Sequence, residues 1–231
     1  MTFKEALQNE KAHLEKYNNP KTGYNIKKLA KDIFKQESTL DQYHRLLLSA
    51  MILSKSDGGT LYVMDKNTLV ICYMLNHSLD LDFKVKSVEE EIKRRIPLYN
   101  EQNNEPNLHY LSVKTAIEET GVNIPNIQET DIKSGSKTFD KMYEYQTQSI
   151  LTTPLIQEGS VLGVLQLINA MDESNSIIPF NEDIGSTIGE LAHLSVNDQE
   201  KWKSTFVWQY KHYIIVIILC LIGILVSYFL V

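Results

Sequence analysis

Gln166 is the residue whose surroundings most clearly suggest chemistry in this sequence. It lies within the run Val161–Asn169, in which both alternating faces of an extended strand are apolar. Leu162, Val164 and Ile168 share its face. Burying an amide without a hydrogen-bonding partner costs ~1–3 kcal/mol, so the Gln166 side chain needs such a partner. That partner is either another protein group or a ligand, and the sequence leaves both open.

Residues that could support catalysis are scattered along the chain. The sequence shows no P-loop, no Gly-x-Ser-x-Gly and no paired cysteines, and its histidines lack metal-ligand spacing. Cys72 falls in a predicted strand and Cys220 in an apolar C-terminal run, so both are expected to be buried and reduced. We therefore predict that the protein is not an enzyme and has no metal site. The alternative is an enzyme that uses Cys72.

Composition narrows the class of protein further. The chain has 231 residues, a net charge of −6 and 43% hydrophobic residues. An acidic balance argues against a nucleic-acid surface. The length and the apolar fraction fit one packed domain with helical flanks.

The C-terminal run Tyr213–Val231 contains no charged residue. About 19 residues in a helix span ~28 Å, close to the ~30 Å of a bilayer core. The run therefore predicts one transmembrane helix, with a buried or interfacial helix as the alternative. Lys201, Lys203 and Lys211 precede the run and no basic residue follows it, so the preceding domain is expected in the cytoplasm. We expect the membrane to be a bacterial inner membrane.

Hydrophobic periodicity and turn residues predict the elements that position Gln166. Helices are expected at residues 26–34, 38–51, 111–120 and 184–194, the last capped by Asn181. Strands are expected at residues 60–65, 69–75, 149–156 and 161–169. Residues 80–107 and 125–148 are expected to be mostly loop. This order predicts an α+β sandwich in which a largely antiparallel sheet has helices on one face and long loops over the other.

Four segments carry a family resemblance, in the order Ser56–Asp65, Met74–Leu79, Val122–Asn126 and Phe139–Asp172. Together they resemble a GAF domain of the bacterial branch, similar to the GAF domains of cyclic-nucleotide phosphodiesterases and cyclases. The resemblance covers roughly residues 38–195. It implies an antiparallel sheet of about six strands, flanked by helices, with a ligand pocket under residues 125–148.

The chain is accordingly divided into an N-terminal helical segment (1–37), a GAF-like domain (38–196), a juxtamembrane linker (197–212) and a transmembrane anchor (213–231).

The sequence departs from the cyclic-nucleotide GAF pattern at three positions. The N-K-F-D-type signature is filled only in part, by Asn169, Phe180 and Asp183. Ala170 stands in the lysine position, so the signature's salt bridge cannot form. In the F-D-x-x-x-G-Y-R-S-x-S pattern, Glu144 replaces the glycine and Gln146 replaces the arginine. A guanidinium is thus absent, and a carboxylate present, near the implied phosphate position.

The resemblance places the ligand-binding candidates at Ser54, Asn76, Asp140, Tyr143, Thr147 and Gln166. Structural alternatives remain for three of them: Asn76 could form a turn, and Asp140 and Thr147 could close a loop. No cofactor is assigned. A cyclic nucleotide or another small molecule is the candidate ligand that the resemblance implies.

The predicted function is a membrane-tethered cytoplasmic GAF module with a sensory or regulatory role. It would bind a small ligand, form a homodimer through its flanking helices and signal to an unknown effector protein. The alternative is a GAF-fold adaptor with an empty pocket, which recruits a partner protein to the membrane.

Overall fold

A computed structural model of the chain describes residues 2–35, 39–84, 94–130 and 136–196. These residues lie in one compact unit, Met1–Asn197. Its helices are α1 (Phe3–Leu14), α2 (Ile26–Phe34), α3 (Thr39–Ser54), α4 (Leu111–Glu118), α5 (Ser136–Tyr143) and α6 (Glu182–Val196). Its strands are β1 (Asn18–Asn19), β2 (Gly23–Tyr24), β3 (Ser56–Asp65), β4 (Thr68–Asn76), β5 (Leu81–Lys84), β6 (Arg95–Pro97), β7 (Val122–Ile124), β8 (Ile150–Gln157), β9 (Ser160–Met171) and β10 (Ile177–Ile178).

The main sheet is antiparallel and, among the described residues, contains eight strands. Six of them lie in the order β5-β4-β3-β9-β8-β7, while β6 pairs with β4 and β10 pairs with β9. The expectation of about six strands is therefore too low. The two additional strands span only three and two residues. Segments this short have no recognisable alternation, and they are extended only because a long neighbouring strand offers unpaired backbone groups.

The predicted strands 60–65, 69–75 and 161–169 lie within β3, β4 and β9, and the predicted strand 149–156 matches β8 except for its first residue. Both faces of β9 are covered, since Leu165 and Leu167 on one face and Val164 on the other are fully buried. The centre of the sheet is thus apolar on both sides, as the sequence of β9 predicts.

One face of the sheet is covered by helices. α3 packs against β3 and α6 against β8, while α2 packs on α6 and α1 on α3. The approach of α3 is close: a Cβ atom at Gly59 would lie 2.7 Å from Leu47 Cδ1, so a larger residue there would force the Leu47 side chain to move. The predicted cap of α6 is confirmed, because the Ile184 amide donates to Asn181 Oδ1 at 2.7 Å.

The opposite face is covered by α4, by α5 and by the segments between the long strands. α4 packs on β8 and β9, and its Val113 joins a buried cluster with Tyr62, Leu69 and Val164. The loop expectations for residues 80–107 and 125–148 are only partly correct. The first stretch contains β5 and β6, and the second contains α5 and a short 3₁₀ helix, Ile127–Glu129. Contacts with the sheet order these segments although their sequences are polar.

No helix within the described parts of the chain has the length and apolarity needed to cross a bilayer. The predicted linker 197–212 and the predicted anchor Tyr213–Val231 both lie outside the described residues. The tether therefore stays a prediction from the sequence.

Candidate functional site

A cavity of about 130 Å³ lies between the sheet and the α4–α5 layer. One water molecule needs ~10–15 Å³ of such volume, so the cavity has room for a small organic molecule. Most of the wall is apolar, formed by Ile71, Met74, Leu75, Ile96, Phe139, Ile150 and Ile168. The polar side chains on the wall are those of Thr60, Tyr62, Tyr110, Ser112, Thr147 and Gln166. A mostly apolar wall with a few polar groups is typical of a small-molecule site.

Gln166 occupies the centre of the sheet surface that lines the cavity. In the register it pairs with Thr60 on β3 and with Thr152 on β8, and Thr60 in turn pairs with Met74 on β4. Residues directly opposite each other in an antiparallel sheet share a face, so this row of four side chains crosses the sheet. Gln166 is half-buried, and its side-chain amide forms no hydrogen bond with another described residue.

The hydroxyl groups near Gln166 interact with other protein groups. Thr152 Oγ1 and Thr115 Oγ1 form a 2.6 Å hydrogen bond under α4. Burial raises the pKa of Tyr62 to about 12, and polar interactions with the nearby Ser112 and Thr60 side chains act against that rise. Tyr62 is therefore a neutral phenol near pH 7.

Thr147, on the segment after α5, is held by the Asp140 carboxylate. Its amide donates to Asp140 Oδ2 at 3.1 Å, and its hydroxyl donates to Asp140 Oδ1 at 2.7 Å. This pair closes the turn that follows α5 and fixes the Thr147 side of the cavity wall. Phe139 on α5 reaches the same wall.

No ionisable side chain other than the two tyrosines lines the cavity among the described residues. The start of α4 also lines the cavity, and its N-cap Tyr110 makes no side-chain capping bond. A helix N-terminus typically stabilises an anion by ~0.3–1 kcal/mol, whereas removing an ion from water costs several kcal/mol. The described residues also include no group of three His, Cys, Asp or Glu side chains that could hold a metal ion.

A buried polar network joins the segment after α5 to the start of β3 and to the turn that follows β4. Asp57 accepts a 2.6 Å hydrogen bond from the Tyr145 hydroxyl and two further bonds from the amide and hydroxyl of Ser78. Asn169 donates to the Tyr145 oxygen at 2.9 Å. Burial, followed by the hydrogen bond and charge of Asp57, raises the pKa of Tyr145 well above its ordinary range.

Two of the six sequence-predicted site residues, Gln166 and Thr147, line the cavity together. Asp140 does not line it but binds Thr147, and Tyr143 packs on Phe139 with a ring separation of 4.8 Å. These four residues therefore lie in or next to one site.

Ser54 and Asn76 are placed differently. The Ser54 hydroxyl donates to the Ala50 carbonyl at 2.7 Å, within the last turn of α3. Asn76 is fully buried at the end of β4, where its Oδ1 accepts from the Leu79 amide at 2.9 Å. Its Nδ2 has no hydrogen-bonding partner among the described residues.

Thr60, Tyr62, Ser112 and Phe139 also line the cavity, although they were not predicted as site residues. Thr60 and Tyr62 could have been found, because both carry a polar group on a predicted strand. Phe139 could also have been found, because the resemblance placed the pocket under residues 125–148. Ser112 reaches the cavity only through the docking of α4 on the sheet.

The three-dimensional fold is that of GAF domains. A GAF domain of a phosphoenolpyruvate-protein phosphotransferase from Coxiella burnetii has 12% identity and a TM-score of 0.54, over 74% of this chain and 89% of that chain. The GAF domain of A. aeolicus nlh2 in an inactive state has 13% identity and a TM-score of 0.52, over 81% and 94%. The chain matches no sequence-family profile. It also matches no curated protein.

The fold comparisons correct the prediction that the protein is not an enzyme. Free methionine-R-sulfoxide reductase from Neisseria meningitidis, solved with its substrate, shares the fold with 14% identity and a TM-score of 0.50, over 78% of this chain and 89% of that chain. An enzyme can therefore be built on this fold. The absence of familiar catalytic motifs, on which the prediction rested, does not exclude catalysis here.

Proposed function

We propose that this protein is a sensory or regulatory module that binds a small organic ligand in the cavity between its sheet and the α4–α5 layer. The observation that carries the proposal is the cavity itself: apolar walls surround a Gln166 amide that has no partner among the described residues. Binding a ligand there would satisfy the amide and remove apolar surface from water. A cyclic nucleotide is one candidate, suggested by the resemblance of the sequence.

Occupancy of the cavity would be sensed by the elements that line it. Phe139 on α5 lines the cavity and packs edge-on against Tyr145 at 5.6 Å, and Tyr145 is bonded to Asp57 on β3. A ligand that moves Phe139 would therefore act on a hydrogen bond at the start of a central strand. We propose that the output passes through the flanking helices of a homodimer to an effector protein.

Membrane attachment through Tyr213–Val231 belongs to the same proposal. It rests on the uncharged run and on the lysines that precede it. Fractionation of cells expressing the full chain, or the chain ended at residue 212, tests this point. The full chain should remain in the membrane after alkaline carbonate washing and the shortened chain should not; equal behaviour of the two would refute the tether.

The ligand proposal is tested on the full chain, purified in detergent micelles. Thermal unfolding would be followed across a metabolite library that contains cyclic AMP and cyclic GMP. We expect at least one compound to raise the midpoint, because a ligand that binds only the folded state stabilises it. Met74→Trp, which fills the cavity with an indole ring, is expected to fold and to abolish the shift. A library without any hit on the wild-type chain would reject the proposal.

A ligand-free adaptor is the second candidate. It is favoured by the observation that the Thr147 hydroxyl already has a protein partner, the Asp140 carboxylate. An adaptor would recruit its partner equally well with the wild-type cavity and with Met74→Trp. Loss of recruitment in a folded Met74→Trp variant would contradict the adaptor and favour the ligand-binding module.

A further inference from the structure

The polar groups on the cavity wall are not equally available to a ligand. Thr147 is bound by Asp140 through both its amide and its hydroxyl. Thr60 and Ser112 interact with the Tyr62 hydroxyl. The side-chain amide of Gln166 forms no hydrogen bond with another described residue, so both its donor and its acceptor are available to a ligand.

A primary amide offers a carbonyl acceptor and an amino donor side by side. The group that satisfies both at once is another amide-like edge, in which a donor and an acceptor lie next to each other. A carboxamide or a cyclic amide has this edge. A carboxylate has two acceptors and no donor, so it leaves the side-chain carbonyl oxygen of Gln166 facing a lone pair.

The walls around Gln166 point to the same class of ligand. Ile150 and Ile168 are neighbours of Gln166 on the sheet side, and Phe139 reaches the cavity from α5. Such walls fit a flat apolar ring. They supply no ionised partner among the described residues, and an anion buried against them would lose its hydration without a compensating cation.

We propose that the cavity selects an uncharged, ring-shaped ligand with an amide-type edge, which pairs with the side chain of Gln166. The inference rests on the proposed ligand-binding function and specifies the chemistry of that site; it excludes an anionic ligand such as a cyclic nucleotide. Gln166 is then the specificity-determining residue, and the apolar wall supplies most of the buried surface.

Matched pairs of small molecules test the inference on the full chain in micelles. Nicotinamide and nicotinate have nearly the same shape, as do uracil and orotate apart from the added carboxylate. Their affinities would be measured by ligand-observed NMR titration. We expect the neutral member of at least one pair to bind about 10-fold or more tightly than its acid, because both acids carry a charge and nicotinate also leaves the Gln166 carbonyl oxygen without a donor.

Gln166→Met is the decisive variant, since methionine keeps the length of the side chain and removes its donor and acceptor. Nicotinamide or uracil should bind this variant about 10-fold more weakly. Toluene needs only the apolar wall, so its binding in excess of its partition into protein-free micelles should be equal for both proteins and would show that the cavity persists.

The results separate this inference from the proposal beneath it. Acids that bind as tightly as their neutral partners would overturn the inference, and so would unchanged nicotinamide and uracil affinity in Gln166→Met. Hits in the metabolite library that are all anionic, or that lack an amide-type edge, would overturn it while leaving a ligand-binding module. A wild-type chain that binds neither these probes nor any library compound would reject the module and the inference together.

Discussion

The hydroxyl of Tyr145 donates a 2.6 Å hydrogen bond to Oδ2 of Asp57, a residue 88 positions earlier in the chain. The Asp57 side chain is only 2% exposed. The bond joins the segment that follows α5 to the start of the central strand β3. It also orders Asn169, whose amide donates to the same Tyr145 oxygen. The outer layer of the cavity is therefore anchored to the sheet by a buried polar contact.

Tyr145→Phe is expected to lower the free energy of unfolding by ~1–3 kcal/mol, because it leaves a buried Asp57 oxygen without a donor and removes the acceptor of one of the two hydrogen bonds that the Asn169 amide donates. Urea titration of wild type and variant measures the change. Tyr143→Phe is the matched control: Tyr143 is 36% exposed, and its loss of a hydroxyl should change stability by less than ~0.5 kcal/mol. Equal effects of the two substitutions would show that the Asp57 bond contributes nothing.

Glu144→Gly is expected to stabilise the fold by ~0.5–1 kcal/mol. Glu144 has φ = 52°, in the left-handed region that a residue with a Cβ atom enters only at a cost. The related GAF pattern carries glycine at this position. Glu144→Ala is the control, since it removes the charge but keeps the Cβ atom. If alanine stabilises as much as glycine, the effect comes from the carboxylate and not from the backbone.

Arg45→Met is expected to destabilise the protein by ~3–5 kcal/mol, because it leaves a buried carboxylate unpaired. The Arg45 guanidinium on α3 binds Glu10 of α1 through Nε and Nη2, at 3.1 and 3.2 Å, and the Glu10 side chain is only 8% exposed. Thermal and urea unfolding measure the loss. Arg95→Met breaks the more exposed ion pair with Asp65 and should cost less than ~1 kcal/mol. Similar losses in both variants would mean that burial of the Glu10 pair is unimportant.

The hydrogen bonds around Asp32 lead us to expect that the free energy of unfolding falls in acid. Burial alone would raise the pKa of Asp32, but hydrogen bonds from His13, Arg45 and Tyr17 outweigh it and lower the pKa below its ordinary value. A carboxylate with a depressed folded pKa stabilises the fold above its unfolded pKa of ~3.9 and loses that contribution as pH falls toward the folded pKa.

We therefore expect Asp32→Asn to be less stable than wild type at pH 7, and the difference to shrink as pH falls below about 4. Urea titrations between pH 3 and pH 7 test this. Glu101→Gln, at an exposed position, serves as the control and should run parallel to wild type throughout. A difference between wild type and Asp32→Asn that stays constant down to pH 3 would contradict the role of the carboxylate charge.

The elements with strong local patterns were predictable from the sequence. The predicted strands correspond to β3, β4, β8 and β9, and Asn181 caps α6 as expected. α5 was not predictable, because its sequence is short and polar and Met142 is 69% exposed. Its Phe139 packs on Tyr145 and reaches the cavity, and such contacts with distant residues do not appear in any local pattern.

The candidate site was predictable in part. Gln166 was singled out because a polar residue in an apolar strand needs a partner, and it lines the cavity. Ser54 was proposed from its position in the resemblance, yet its hydroxyl bonds to the Ala50 carbonyl. A serine near a helix end can bond to the preceding turn, and its choice between that carbonyl and a ligand depends on where the helix lies.

The sequence by itself determined the order of the main strands and helices, the apolar centre of the sheet and the position of the polar Gln166 within it. These follow from side-chain periodicity, which is local. Only the tertiary structure decided which polar groups satisfy one another. Register places Thr60 and Thr152 on either side of Gln166, and folding brings Tyr145 to Asp57. Hydrogen bonds are short-ranged and directional, so their partners are fixed only when distant segments are packed together.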